Sequence, residues 1–197
     1  MNVLGVILCG GKSSRMGTDK GMLPYADGIN WAQHQYALLQ SVCPRVVVSV
    51  NPGQKNNYRA YFSEEHLVSD QVALQIKGPL LGLISVHLMN SSKDIFLLAC
   101  DMIDMKEEVV QVLLQRYLQY RNKDAFVFRN EEGFEPLCAI YTADALAGIV
   151  QQYRAGQINR FSMKSVLEKI QTESIPVLPD WKTCFSNFNE RGELDRL

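Results

Sequence analysis

The sequence predicts an α/β fold with a mostly parallel sheet between two layers of helices, and three observations predict it. Short apolar runs alternate with segments of helical spacing along the whole chain, as in βαβ units. The first run, Val3–Cys9, is apolar without alternation, as in a strand buried on both faces. The length of 197 residues and the hydrophobic fraction of 47% fit a single domain, residues 1–197.

Charge and cysteine usage narrow the class of protein. The net charge of -1 gives no basic footprint for nucleic acid, and no apolar run approaches the roughly 20 residues that span a bilayer. The five cysteines are odd in number and contain no C-x-x-C pair, which argues against a disulfide framework or a zinc site. We therefore expect no nucleic-acid or membrane partner, and buried reduced thiols at Cys9, Cys100 and Cys138.

The strands and helices can be predicted in order. Apolar or β-branched runs bounded by turn residues predict strands at Val3–Cys9, Arg45–Val50, Leu67–Ser69, Asp94–Ala99, Ala125–Phe128, Leu137–Tyr141 and Ser174–Val177. Apolar residues at helical spacing predict helices at Trp31–Val42, Tyr58–Phe62, Leu81–Met89, Lys106–Tyr120, Asp144–Tyr153, Met163–Ile170 and Glu190–Leu197. The two strands that flank the polar turn Asn130–Gly133 are expected to pair antiparallel, and Pro176 places the last strand at an edge.

The helix Lys106–Tyr120 is the clearest of these. Asp104 is predicted to cap it, and its core side is predicted from the apolar residues Val109, Val112, Leu113, Tyr117 and Leu118.

In parallel sheets of this kind, ligands bind outside the carboxyl ends of the strands. That rule indicates four places: after Cys9, at Asn51, near Asp70, and at Cys100-Asp101.

The loop Leu8–Lys20 is the most informative stretch. It leaves a buried strand and contains three glycines, two serines and three cations. Glycines let backbone N–H groups approach a phosphate closely, and cations offset its charge, so the loop predicts a phosphate site. It is not a P-loop, because that motif would need a glycine where Val6 stands, and the dinucleotide pattern G-x-G-x-x-G is absent.

The loop resembles the G-G-x-S-x-R-M-G-x-D-K signature of the molybdenum cofactor guanylyltransferases, a branch of the nucleoside-diphosphate-sugar transferase superfamily. The matching residues are Gly10-Gly11, Ser13, Arg15-Met16-Gly17 and Asp19-Lys20. Further segments resemble the family in order along nearly the whole chain: Asn51, Asp70, Gly78–Gly82, Cys100-Asp101-Met102, Glu135-Pro136-Leu137 and Asn187-Phe188-Asn189. Two departures are Ile103, where the family usually has Pro, and Cys9, where it usually has Ala.

The resemblance implies a Rossmann-like three-layer sandwich of the nucleoside-diphosphate-sugar transferase type. It also implies transfer of GMP from GTP to molybdenum-molybdopterin, which yields the guanine dinucleotide cofactor and pyrophosphate, with Mg²⁺ in the cytoplasm. The residues leave the oligomeric state open. The working expectation is a monomer that makes transient contacts with proteins that deliver the cofactor or mature molybdoenzymes.

The resemblance also implies roles for single residues. Arg15 and Lys20 would neutralise the triphosphate and the leaving pyrophosphate, and Asp101 would hold the metal. Asn187 and Asn189 would contact the metal or the pterin substrate. The nucleotide site as a whole would comprise Leu8, Cys9, Gly10, Gly11, Ser13, Lys20, Asn51, Asp70, Gly78, Pro79, Gly82 and Asp101.

Other interpretations remain open at this point. Asn51 is equally well explained as a turn residue, Asp70 as a loop carboxylate, and Gly78–Gly82 as a tight turn into a helix. The two asparagines near the end are almost as well explained as polar surface. Alternative functions are a cytidylyl or sugar-phosphate nucleotidyltransferase, or a non-catalytic nucleotide-binding module of the same fold.

Overall fold

The computed structural model describes residues 2–10, 19–120, 122–157 and 162–186. Within these ranges the strands form one sheet, in the spatial order β3-β2-β1-β4-β6-β5-β7. Their bounds are β1 (Val3–Leu8), β2 (Val46–Val50), β3 (Leu67–Ser69), β4 (Asp94–Ala99), β5 (Ala125–Asn130), β6 (Gly133–Tyr141) and β7 (Thr172–Pro176).

The sheet is mostly parallel, as predicted. β1 lies between β2 and β4 and is parallel to both, β3 is parallel to β2, and β7 is parallel to β5. Only β6 runs the other way, antiparallel to both β4 and β5. Because β6 reverses the direction once on each side, the carboxyl ends of β5 and β7 lie at the same edge as that of β4.

The helices are α1 (Trp31–Gln40), α2 (Lys55–Tyr58), α3 (Pro79–Met89), α4 (Glu107–Gln119), α5 (Ala143–Arg154) and α6 (Met163–Leu167). Short 3₁₀ turns lie at Lys20–Met22, Ala26–Gly28, Glu64–His66, Val72–Leu74 and Pro179–Phe185. The start of α1 is a capping box, in which the Asn30 side chain accepts from the Gln33 amide and the Gln33 side chain accepts from the Asn30 amide. This reciprocal pair satisfies backbone donors that a helix start otherwise leaves exposed.

The helices cover both faces of the sheet, which gives the predicted three layers. Side chains of β1 alternate between the two faces: Val3 and Ile7 lie in one core cluster, and Leu4, Val6 and Leu8 lie in the other. Residues of α1, α2 and α4 pack in the first cluster, and residues of α3, α5 and α6 pack in the second. A strand covered on both faces explains why β1 is apolar throughout.

Several predicted elements need correction. The prediction of a helix at Tyr58–Phe62 is wrong, because Tyr58 is the last residue of α2. A side-chain turn that starts at Asn51 precedes α2, so the helix begins earlier in the chain than predicted. Asp104 does not cap α4; Lys106 occupies the N-cap position without a side-chain hydrogen bond, and Glu107 and Glu108 lie in the first turn. Negative charge there favours the helix start through its dipole.

The buried side of α4 also differs from the prediction. Leu118 is 43% exposed, and Val110 is buried in its place. β5 and β6 extend further into their hairpin than predicted, because Asn130 and Gly133 still pair across it. The predicted tail helix Glu190–Leu197 lies outside the described residues, and the turn Pro179–Phe185 was not predicted.

The state of the cysteines and the character of the helices can also be compared with the predictions. All five cysteines are buried free thiols, as expected for Cys9, Cys100 and Cys138. Across the ranges that the structure describes, none of the helices combines the length and the apolar character needed to cross a bilayer.

Candidate active site

The four places predicted from the strand order meet at one edge of the sheet. Leu8 lies beside Ser49 on β2 and beside Ala99 on β4, so β1, β2 and β4 end side by side. Beyond those ends, the amides of Cys9 and Gly10 donate to the Ser49 carbonyl at 2.9 and 3.1 Å, and the Cys100 amide donates to the Leu8 carbonyl at 3.2 Å. The start of the glycine-rich loop is therefore held against β2 and β4 by backbone hydrogen bonds.

Asp70, directly after β3, lies against the beginning of that loop. It is 8% exposed and accepts a hydrogen bond from Ser49 Oγ at 3.1 Å. A Cβ atom on Gly10 would lie 2.7 Å from Asp70 Oδ2, so the absence of a side chain allows this approach. Burial raises the pKa of Asp70 to about 6, against the opposing effect of the Ser49 hydrogen bond.

Gly82 on α3 closes the same cluster from the other side. A Cβ atom there would overlap Leu8 Cδ1 and would lie 2.8 Å from Ser49 Oγ. The structure thus brings Asp70 and Gly82 to the start of the glycine-rich loop at Leu8 and Gly10, although at least 60 positions of the sequence separate the two parts.

The start of α3 supports the interpretation of Gly78 and Pro79 as a turn into a helix. Gly78 is the N-cap residue with φ 70° and ψ -158°, a conformation that only glycine adopts easily, and Pro79 is the first helical residue. The two residues therefore have a clear structural role, which is independent of any contact with a ligand.

Lys20 and Asp101 are in direct contact. Lys20 Nζ lies 2.8 Å from Asp101 Oδ2, with the side chains 17% and 18% exposed. Lys20 begins the 3₁₀ turn after the glycine-rich loop, and Asp101 is the second residue after the end of β4. Lys20 was predicted to contact the triphosphate, and Asp101 was predicted to hold the metal. The two groups thus lie next to each other in a partly buried place.

Tyr58 is hydrogen-bonded to Asp19, the residue before Lys20, and the sequence analysis did not identify it. Tyr58 Oη donates to Asp19 Oδ1 at 2.9 Å, and the Gly21 amide donates to the same oxygen at 3.1 Å. The Tyr58 ring is fully buried, and burial raises the pKa of both Tyr58 and Asp19. Asp19 matches the family signature, but Tyr58 is 39 residues away along the chain and belongs to no motif.

Asn51 is engaged in a local turn. Its Oδ1 accepts from the Gln54 amide at 3.1 Å, and its Nδ2 donates to Gln54 Oε1 at 2.6 Å. The structure therefore favours the interpretation of Asn51 as a turn residue, at the carboxyl end of β2.

Some predicted residues lie outside the described ranges: Gly11, Ser13, Arg15, Asn187 and Asn189. The structure neither brings them to the site nor separates them from it.

The donor set at Asp101 fits Mg²⁺. The ion prefers oxygen ligands, and in nucleotide sites it is held by one or two carboxylates together with substrate phosphates and waters. Among the described residues, no group of three or more His, Cys, Asp or Glu side chains could hold a metal by itself. An ion that arrives with a triphosphate needs few ligands from the protein, and the Asp101 carboxylate can be one of them.

Comparisons with known proteins show the family to which the chain belongs. The sequence model of the family described as MobA-like NTP transferase domain matches residues 5–172. The chain is 31% identical to the molybdenum cofactor guanylyltransferase of Syntrophotalea carbinolica, covering 97% of this chain and 88% of that protein. It is 28% identical to the enzyme of the same name from Desulfosudis oleivorans, covering 98% and 93%.

A solved structure shares the fold. Molybdopterin-guanine dinucleotide biosynthesis protein A from Archaeoglobus fulgidus superposes with a TM-score of 0.74 at 20% identity, and the match covers 98% of this chain and 95% of that one.

Proposed function

We propose that this chain, which belongs to the MobA-like NTP transferase family and is an enzyme of the nucleotidyltransferase type, transfers GMP from GTP to molybdenum-molybdopterin. The products are the guanine dinucleotide form of the cofactor and pyrophosphate. The proposal takes residues 1–197 as one catalytic domain that acts in the cytoplasm. It also takes the enzyme as a monomer that meets cofactor-delivery or molybdoenzyme-maturation proteins transiently.

The observation that carries the proposal is the contact between Lys20 and Asp101 at the edge where β1 and β4 end. Nucleotidyl transfer places a triphosphate and a divalent cation in one cleft, so it needs cationic and anionic protein groups side by side. Lys20 supplies the first and Asp101 the second. Asp101 is the second residue after β4, and the Cys100 amide before it is hydrogen-bonded to the Leu8 carbonyl of β1, so the backbone that carries this carboxylate is tied to the sheet.

Lys20 and Asp101 have different roles in the proposed reaction. Lys20 binds the triphosphate and offsets the charge that develops on the leaving pyrophosphate. Asp101 would hold Mg²⁺, which supplies Lewis-acid polarisation of the α-phosphate when it is bound. The acceptor phosphate is itself the nucleophile, so positioning and charge stabilisation suffice and no covalent enzyme intermediate is required.

The base and ribose are assigned to the cluster around Gly10. The lack of a side chain at Gly10 lets the Asp70 carboxylate lie against the backbone that follows Leu8 and Cys9, which is where we place the base and the ribose. The Asp70 carboxylate, one oxygen of which accepts from Ser49, is a suitable acceptor for a base N–H or a ribose hydroxyl. Arg15, Gly11 and Ser13 are proposed to complete the phosphate site.

A pyrophosphate-release assay tests the proposal. With Mg²⁺ present, GTP should give pyrophosphate only when molybdopterin is added, and Asp101→Asn should reduce turnover by more than about 100-fold, the scale of losing one electrostatic group at a reacting centre. Asp104→Asn is the matched control, because it removes a carboxylate from the same loop and should leave turnover unchanged.

A nucleotide panel separates the alternatives. We expect GTP with Mg²⁺ to raise the melting temperature more than CTP, ATP or UTP do, since binding to the native state stabilises it. Preference for CTP or UTP would refute the guanylyl assignment, and GTP binding without any pyrophosphate release would identify a non-catalytic module.

A further inference from the structure

A cavity of about 540 Å³ opens near the carboxyl end of β4, and its wall contains no residue of the nucleotide cluster formed by Leu8, Gly10, Asp70 and Gly82. Met102 forms part of its wall, one residue after Asp101. Pro136 and Leu137 of β6 form another part, and they lie just before Cys138, which pairs with Leu98 of β4. The cavity therefore sits at the carboxyl end of β4, within the range of roughly 300–1,000 Å³ of small-molecule pockets.

The cavity is built from elements that the nucleotide cluster does not use. The hairpin between β5 and β6 contributes one side, α6 contributes Lys164, and the segment after β7 contributes Lys182 and Phe185. These elements reach the edge of the sheet next to β4 because β6 is antiparallel and β5 and β7 are parallel to β4.

The charges in the cavity wall are mixed. Three carboxylates, from Glu131, Glu132 and Glu135, face two lysines, Lys164 and Lys182. A ligand that is only anionic would meet the carboxylates, and a ligand that is only cationic would meet the ammonium groups. A ligand that carries N–H donors at one end and negative charge at the other satisfies both.

Glu135 is the carboxylate that is best placed to read such donors. It is half-buried on β6, and Asn130 Nδ2 donates to its Oε1 from the paired strand β5. This hydrogen bond restrains the Glu135 side chain at one carboxylate oxygen and leaves Oε2 without a hydrogen-bond donor among the described residues. Leu137 and Phe185 give the same cavity an apolar surface for a flat ring.

We propose that this cavity binds the acceptor, and that the Glu135 carboxylate, oriented by Asn130, recognises the 2-amino and N3–H edge of its pterin ring. The proposal rests on the proposed function, which supplies a pterin that ends in a phosphate. A cyclic amidine edge presents two parallel N–H donors, which match the two oxygens of a carboxylate. The lysines then face the anionic remainder of the acceptor, next to Asp101.

Two fluorescent probes test this recognition directly. Pterin-6-carboxylate carries the 2-amino group, and lumazine-6-carboxylate is the same ring system with an oxo group in that place. The full-length wild-type chain should bind the pterin at least about ten-fold more tightly than the lumazine, because the oxo group places an acceptor against the carboxylate.

The variant Glu135→Gln should abolish or reverse this preference, because the glutamine amide can donate to the oxo group. Glu168→Gln is the matched control: Glu168 is exposed on the same side of the protein, just after α6 and outside the cavity wall, and its replacement should leave the preference intact. The melting temperature and the shift that GTP induces should be unchanged in both variants, which shows that the fold and the nucleotide cluster are intact.

The outcomes distinguish this proposal from the preceding one. Equal binding of the two probes by the wild type, or an unchanged preference in Glu135→Gln, would overturn the role of Glu135. If the chain discriminates the probes as expected but prefers CTP, the guanylyl assignment fails and the pterin site stands. If it releases pyrophosphate from GTP with molybdopterin but does not discriminate the probes, the pterin site alone fails.

Discussion

Replacing Gly21 by alanine should misplace Lys20 without touching its side chain. A Cβ atom at this position would overlap Tyr58 Oη, and it would lie 3.2 Å from both Tyr58 Cζ and Cys9 Sγ. Tyr58 cannot move aside, since its ring is fully buried and its hydroxyl is hydrogen-bonded to Asp19. The turn that carries Lys20 must shift instead, and a displacement of about 1 Å at a catalytic group costs on the order of 100-fold in rate.

Tyr58→Phe should have opposite effects in the two backgrounds. In the wild type it removes a hydrogen bond to a carboxylate, which is worth about 1.5–3 kcal/mol, so we expect a loss of roughly 10-fold or more in kcat/KM. In Gly21→Ala it removes the overlapping atom and leaves contacts of 3.2 Å, which small shifts can relieve. The double variant should therefore be more active than Gly21→Ala alone.

The assay is kcat/KM for GTP from pyrophosphate release, with the free energy of unfolding in urea measured for each variant. We expect a coupling energy of at least about 1 kcal/mol, with the double variant close to Tyr58→Phe. Gly148→Ala is the control, because Gly148 lies within α5 and a Cβ atom there meets no atom within 4 Å. Additive losses from the two substitutions would refute the role of Tyr58 as the support of the Lys20 turn.

Three further predictions concern the nucleotide cluster. The pKa of Asp70 is raised from an ordinary 3.8 to about 6 in the folded protein, so ionisation of this carboxyl group destabilises the native state as the pH rises from 3.8 to 6. In urea unfolding, the gain in stability from Asp70→Asn should therefore grow over this pH range and level off above pH 6. A gain that does not depend on pH would contradict this prediction. Gly82→Ala should lower the free energy of unfolding by about 1–3 kcal/mol, since the new methyl group overlaps Leu8 and crowds Ser49. An unchanged free energy of unfolding in urea would contradict this prediction and show that α3 can move away from β1. Lys20→Met should raise KM for GTP and lower kcat, because the side chain meets both the bound triphosphate and the leaving group; steady-state kinetics with an unchanged kcat would limit Lys20 to binding.

The strands β3 and β4 were predicted with their observed bounds, whereas several helix details were not. Asp94–Ala99 is the central strand of the sheet and is buried, so one apolar run between turn residues defines it. Asp104 was expected to cap α4, but a helix start depends on small differences between neighbouring candidates. The helix expected at Tyr58–Phe62 failed for a similar reason, because the side-chain turn at Asn51 begins α2 earlier.

The sequence could predict that Lys20 and Asp101 lie near the same edge of the sheet, although they are 81 positions apart in the chain. Both follow strands that were predicted to be parallel, and parallel strands end at a common edge. Tyr58 could not be found in this way, because its role depends on how α2 packs under the turn at Gly21. Nothing in the local sequence of α2 indicates that packing.

The reversed strand β6 has a functional consequence that strand order alone does not convey. It brings the β5–β6 hairpin and the segment after β7 to the edge of the sheet at which β4 ends, where Met102, the residue after Asp101, lines the cavity. Among the described residues, the two proposed sites use different elements: the nucleotide cluster uses the ends of β1, β2 and β3 and the helix α3, whereas the cavity uses β5, β6, α6 and the segment after β7. Substitutions in the cavity, such as Glu135→Gln, can therefore alter the choice of acceptor while the contacts of Lys20, Asp70 and Gly82 remain as they are. In the proposed arrangement, separate elements recognise the two substrates, and the reacting phosphates meet at the end of β4, near Asp101.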